Sequence, residues 1–246
     1  MEATTIVTIP CFSGAPWALE QLTPLHGRPL GTMRLPEALD DIEAYADFVE
    51  AQVEGLERYV LVGDSFGAVV ALAVAVRRPA GLQGLVLSGG FAADPVGSRI
   101  VRGLLGATRW LRGSLYRQLV LRLHAALLAS PHDATGEVPW SRAASRALFL
   151  AHTPHISYAA RAQAAFAADY RARLGRIAVP TLVLTPGHDK LIGPRAAGEL
   201  LQGIPDAREV VLADTGHMFR FTHPRRYAQA IATFLRKHVD AREQAA

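Results

Sequence analysis

At 246 residues, half of them apolar and with Gly and Pro scattered along its length, the chain has the size and composition of one large globular domain. No apolar run is long enough for a membrane span, the N-terminus lacks the basic and apolar stretches of a secretory signal, and Cys11, the only cysteine, has no partner for an internal disulfide. These features fit a cytoplasmic enzyme. The net charge of +4 is uneven: residues 97–176 hold 12 arginines and three acids, a net of +9, which leaves −5 for the rest of the chain.

Thr5–Ile9 is a β-branched run that stops at Pro10, as a buried strand does. Residues 36–56 read as a helix, with Leu39, Ile42, Tyr45, Ala46 and Val49 at helical spacing. Residues 59–62 form a second buried strand, 68–76 a dense apolar helix, and 82–87, 181–185 and 209–212 three further strands. Residues 225–238 close the chain as an amphipathic helix. Strands alternating with helices predict an α/β fold, a mostly parallel sheet covered on both faces.

Residues 94–176 break this rhythm with helical stretches and no clear strand. They predict a helical cap inserted before the strand at 181–185, with residues 1–93 and 177–246 as the core. Ile100, Leu104, Ala107 and Leu111 share one helical face. Ser114 is expected to cap a helix carrying Leu115, Leu119 and Leu123, and Ser141 another carrying Ala144, Leu148 and Ala151. Leu and Ala are then expected inward, with Arg102, Arg109, Arg112, Arg117, Arg122 and Arg146 outward.

Chemistry concentrates where a strand meets a helix. Residues 60–70 hold Gly63-x-Ser65-x-Gly67 after the run Tyr-Val-Leu-Val and before the apolar helix. In that setting a sharp turn lifts the serine hydroxyl off the sheet edge, and small flanking residues let strand and helix pack closely. The Phe66 N–H, at the helix N-terminus, can then face a developing oxyanion. A serine hydroxyl needs a base. Of nine histidines, His217 follows a strand by a short loop, where an imidazole can reach over Ser65, whereas His223 precedes Pro224 and reads as a structural or capping residue. The base needs a carboxylate on its other nitrogen. Asp189 lies in the loop after the strand at 181–185; Asp94, after the strand ending at Leu87, is the rival, and Asp214 reads as a turn residue. The loop after the first strand can provide the second oxyanion donor, the N–H of Phe12.

On these motifs the chain resembles the single-domain α/β-hydrolase superfamily, especially its small carboxylesterase, lactonase and thioesterase-like members. The resemblance covers the Phe12 loop, the Val60–Gly67 turn, the strand leading to Asp189, and Thr215-Gly-His-Met through His223-Pro. It implies Ser65, Asp189 and His217 as nucleophile, acid and base. Two departures stand out. Pro10-Cys11 replace the His-Gly that often precedes the oxyanion residue, and only Gly31-Thr-Met-Arg-Leu-Pro remains of the second strand and its glycine-rich loop.

The expected function is cofactor-independent hydrolysis of a carboxylic ester or thioester through an acyl-enzyme. Acyl transfer, lyase chemistry at the same three residues, and non-catalytic ligand reception are the alternatives. The arginine-rich segment is expected either to keep an alanine-rich surface soluble or to dock an acidic acyl carrier, a carrier protein or coenzyme A. His152 and His155 straddle Pro154 with no further ligand pair, so no metal is expected, and no phosphate loop or nucleic-acid module is present.

Overall fold

The computed structural model describes residues 4–18, 22, 25, 27–95, 103 and 106–241. Its centre is a parallel sheet of six strands in the order β2-β1-β3-β4-β5-β6. The strands are β1 (Thr5–Ile9), β2 (Leu30–Thr32), β3 (Tyr59–Asp64), β4 (Leu82–Ser88), β5 (Thr181–Pro186) and β6 (Ala207–Leu212). β3 is buried at every position, because helices cover both faces of a parallel sheet and leave no solvent side to alternate with. The trimmed second strand survives as three edge residues, Leu30 and Gly31 half-buried and Thr32 exposed.

Helix α1 (Ile42–Val53) starts six residues after the periodicity predicts. Asp41 caps it by accepting a bond from the Glu43 N–H, and Ala38 sits at φ 61°, which breaks any helix upstream. Helix α2 (Phe66–Ala75) is buried all round. Between β4 and β5 the described residues include the helices α3 (Leu121–Leu128), α4 (Arg142–His152) and α5 (His155–Ala167) and no strand. After β5 come α6 (Pro194–Gly203), α7 (Phe219–Thr222) and α8 (Pro224–Phe234).

Alternate strand residues divide between two cores. Val7, Leu61, Leu85 and Val183 pack with α1, α2 and α6; Ile6, Val60, Val86 and Leu182 pack with α8 and Trp17. Each fully buried Leu or Val contributes about 1.5–3 kcal/mol, so β3 and α2 together outweigh a strained residue between them at about 1–3 kcal/mol.

The inner face of the helical segment is shifted by one residue from the expected one. Leu115, Leu119 and Leu123 are exposed, at 57%, 55% and 53%, while Tyr116, Val120, Leu121, Ala125 and Leu128 are buried. A π-helical turn at Tyr116–Val120 changes the phase, and the Tyr116 hydroxyl anchors it by donating to the Thr153 carbonyl at 2.6 Å. Ser114 lies inside the first turn of Gly113–Leu115, and Arg112 holds the cap position. Ser141 does cap α4, through the Ala144 N–H, but Ser145 and Phe149 are its buried residues and Ala151 is exposed. Ala107 is exposed and Leu111 half-buried; Ile100, Leu104 and Arg102 lie outside the described residues. Arg109, Arg112, Arg117 and Arg122 face solvent, whereas Arg146 is half-buried and donates to the Arg117 carbonyl.

Candidate active site

The strand order turns back at β1: the chain goes out to the β2 edge and returns to β3 on the other side. At such a point the loops leaving the two neighbouring strands part and open a crevice at the carboxyl edge of the sheet. Ile9 of β1 pairs with Gly63 of β3, so the loop at residues 10–14 lies beside Ser65. Ser65 adopts φ 54°, ψ −111°, a strained turn held by the packed strand and helix on either side. The closeness is enforced at two glycines. A Cβ on Gly63 would run into the Gly67 carbonyl, and one on Gly67 into the carbonyl oxygens of Ile9 and Pro10.

Phe66 is the first helical residue of α2, where N–H groups lack intrahelical partners. No described residue accepts the Phe12 N–H, and the Phe12 and Phe66 rings meet edge-on with centroids 5.8 Å apart. The Phe12 loop is held from α5 and from Thr153, the residue after α4. The Arg161 guanidinium donates to the Phe12 carbonyl at 3.0 Å, and the Thr153 hydroxyl to the Ser13 carbonyl at 3.1 Å. Gly14, at φ +72°, leaves the space that the guanidinium fills.

The loops after β5 and β6 are laced together, with the His188 N–H bonded to the Thr215 carbonyl at 2.8 Å. They bring the remaining side chains to Ser65. His217 Nε2 lies 2.9 Å from Ser65 Oγ, and its Nδ1 lies 2.7 Å from Asp189 Oδ2. The other Asp189 oxygen accepts the N–H groups of Leu191 and Ile192 at 2.8 and 3.0 Å, which fixes the carboxylate. Asp94 is not part of this group; its N–H bonds the Ala168 carbonyl. Asp214 is exposed, and His223 precedes α8, its carbonyl accepting the Tyr227 N–H. His152 and His155 face different partners, Arg34 and the Thr108 carbonyl.

Burial disfavours a charged imidazole at His217, but the Asp189 carboxylate, with Asp64 and Asp133 behind it, outweighs burial and raises the pKa above its ordinary value. Two further buried carboxyls lie here. Asp64, between Gly63 and Ser65, forms a buried ion pair with Arg220 at 2.7 Å, and the Arg220 guanidinium stacks on Trp17 and Phe221. Asp133 is a buried carboxyl that accepts the Ser130 N–H beside the Gly216 backbone.

A family model described as serine aminopeptidase, S33, matches residues 26–221, inside a fold with a strained serine turn at the sheet edge. The chain belongs to this α/β-hydrolase family. Among curated proteins, it is 30% identical over 185 residues to a 2-hydroxy-6-oxononadienedioate/2-hydroxy-6-oxononatrienedioate hydrolase of Paraburkholderia phymatum, a match covering 74% of this chain and 63% of that relative. The chain thus spans less than two thirds of the length of such relatives. Among solved structures, a hydrolase from Pseudomonas aeruginosa PA01 superposes with a TM-score of 0.81 at 19% identity, covering 95% of this chain and 90% of that one. The enol-lactonase of Burkholderia xenovorans LB400 superposes with a TM-score of 0.80 at 23% identity, covering 96% of this chain and 93% of that one. At these identities the two structures speak for the fold.

In this α/β-hydrolase, Ser65 and His217 line a cavity between the sheet edge and the helical segment. Its walls are mainly aromatic and aliphatic, with Phe91, Phe149, Phe166, Leu128 and Ile192 among them, and no Lys or Arg lines it among the described residues. One polar pair from the helical segment interrupts this lining: His124 Nδ1 lies 2.8 Å from the Tyr158 hydroxyl. A histidine on a leucine-rich helix carries no motif, and only the packing of α3 against α5 reveals it. Among the described residues no helix is long and apolar enough to cross a membrane.

Proposed function

We propose that this hydrolase cleaves a carboxylic ester or thioester with an apolar acyl chain through an acyl-enzyme on Ser65. One observation carries the reading: the hydrogen-bonded chain Ser65 Oγ–His217–Asp189 ends at the floor of an apolar cavity. In this scheme His217 takes the Ser65 proton as Oγ attacks the acyl carbon. The N–H groups of Phe66 and Phe12 donate to the oxyanion. The leaving alcohol or thiol departs with the proton from His217. Water then attacks the acyl-enzyme by the same route, and the freed acid leaves Ser65 reprotonated. Asp189 keeps the imidazole in the tautomer that accepts at Nε2. Residues 94–176 act as the cap that keeps the acyl chain dry, which their contribution to the cavity wall supports.

A second reading, hydrolysis of a carbon–carbon bond, is favoured by the name of the Paraburkholderia relative. That name describes a dicarboxylate, and burying carboxylates without cations is costly. A cavity wall without Lys or Arg among its described residues supports a neutral acyl chain instead. An anionic leaving group, coenzyme A or an acidic carrier protein, would stay outside, where Arg109, Arg112, Arg117 and Arg122 are exposed.

The test is a series of p-nitrophenyl esters from acetate to decanoate. The expected kcat/KM rises with chain length to a maximum at medium chains and vanishes in Ser65→Ala. Turnover of none of the esters, or a flat series, would count against the reading.

A further inference from the structure

The cavity contains one polar feature that the scheme above does not use. Among the described residues its wall is apolar apart from Ser65, His217, the ion-paired Asp64, and the His124–Tyr158 pair. His124 comes from α3 and Tyr158 from α5, so the pair depends on two helices meeting over the cavity. The Phe12 ring packs against both, with centroids 5.4 Å from His124 and 5.0 Å from Tyr158, and against Phe66 at 5.8 Å. The pair therefore stands about one ring away from the turn that carries Ser65.

A polar pair in an apolar wall costs desolvation unless it is hydrogen-bonded, and among the described residues this one is bonded only to itself. No described residue bonds His124 Nε2, and the imidazole lines the cavity. Burial and the nearby His217 hold the His124 pKa down at about 3. Burial also raises that of Tyr158. Both groups are neutral across the working range, with one proton on the imidazole and one on the phenol. In one arrangement the phenol donates to Nδ1 and Nε2–H points out as a donor. In the other, Nδ1–H donates to the phenol oxygen, leaving Nε2 as acceptor and the hydroxyl as donor. A neutral pair of this kind suits a neutral oxygen. The buried cation closest in sequence, Arg161, is bonded to the carbonyls of Phe12 and Pro36.

We propose that the His124–Tyr158 pair is a second polar subsite of the cavity, hydrogen-bonding an uncharged keto or hydroxyl oxygen carried along the acyl chain of the substrate. The inference rests on the ester or thioester reading above and narrows it to oxygenated acyl chains.

The experiment compares p-nitrophenyl octanoate with its analogues bearing a ketone at the fifth or seventh carbon. A ketone so far from the ester leaves the intrinsic reactivity of the ester unchanged. The enzyme is expected to prefer one oxo-ester over the plain ester by about tenfold or more in kcat/KM, the scale of one buried hydrogen bond. In Tyr158→Phe and His124→Phe, which keep a ring against Phe12, that ratio is expected to fall to near one. If His124→Phe does not fold, Tyr158→Phe alone decides. A wild-type ratio near one overturns the proposal, and so does a loss shared equally by all three esters, which is what a purely structural role gives. If the wild type turns over none of them, the ester reading fails by itself, and the subsite is then read by calorimetry. Ser65→Ala should bind the matching oxo-octanamide about tenfold more tightly than octanamide, a preference lost on adding Tyr158→Phe; equal binding overturns the subsite.

Discussion

Arg220→Met tests whether the buried pair behind Ser65 holds the site together. The side chains of Arg220 and Asp64 are 3% and 5% exposed, and their 2.7 Å contact joins α7 to the end of β3. Removing the guanidinium strands a carboxylate in the interior, which costs about 3–5 kcal/mol, out of a total stability of about 5–15 kcal/mol for a domain. Asp64→Asn strands the guanidinium instead and is expected to cost a similar amount. The double variant Asp64→Asn/Arg220→Met leaves neither charge, so it should be more stable than Arg220→Met by about 2 kcal/mol or more. Loss of stacking on Trp17 and Phe221 is common to Arg220→Met and the double variant, so that comparison is free of it. The assay is urea unfolding followed by circular dichroism, with the slope m compared across the four proteins to exclude a change of mechanism. Equal stability of Arg220→Met and the double variant would refute the argument that an unpaired buried charge dominates here.

Gly67→Ala places a methyl group against the Ile9 and Pro10 carbonyls. It is expected to lose about 1–3 kcal/mol by overpacking and most of the activity, as read by thermal melting and ester turnover. Because the His217 pKa is raised, and only the neutral imidazole can take the Ser65 proton, kcat/KM should fall as pH drops through a midpoint above the ordinary 6.5. Asp189→Asn should move that midpoint down and reduce kcat by on the order of 10⁴-fold, whereas Asp94→Asn should leave both near normal. If the exposed arginines steer an anionic leaving group, kcat/KM for an acyl-coenzyme A should fall steeply with salt while that for a neutral ester does not. Reversing Arg112, Arg117 and Arg122 to Glu should abolish the difference.

The legible parts of the fold are those where burial dominates the pattern. β3 and α2 are apolar at nearly every position because both sides are covered, so the strand, the turn at Ser65 and the helix are all readable from the run at residues 59–75. His217 and Asp189 are readable because each follows a strand by a short loop, and parallel strands put such loops at one edge. The inner face of the helical segment is not readable. A π-helical turn at Tyr116–Val120 shifts the phase, and the buried Tyr116 hydroxyl, not leucine spacing, decides which side faces in. The start of α1 is set by Asp41 and by the backbone at Ala38 rather than by apolar spacing. The Asp64–Arg220 pair joins residues 156 apart, and His124 meets Tyr158 across 34, so neither leaves a local signature.

The central claim is that Ser65 becomes acylated during turnover. Acid quench of the enzyme milliseconds after mixing with excess p-nitrophenyl octanoate, followed by intact-mass and peptide analysis, tests it directly. The account predicts an added octanoyl group on the peptide carrying Ser65, absent in Ser65→Ala. Steady turnover of the ester with no adduct at Ser65, or with acylation at another residue, would contradict it.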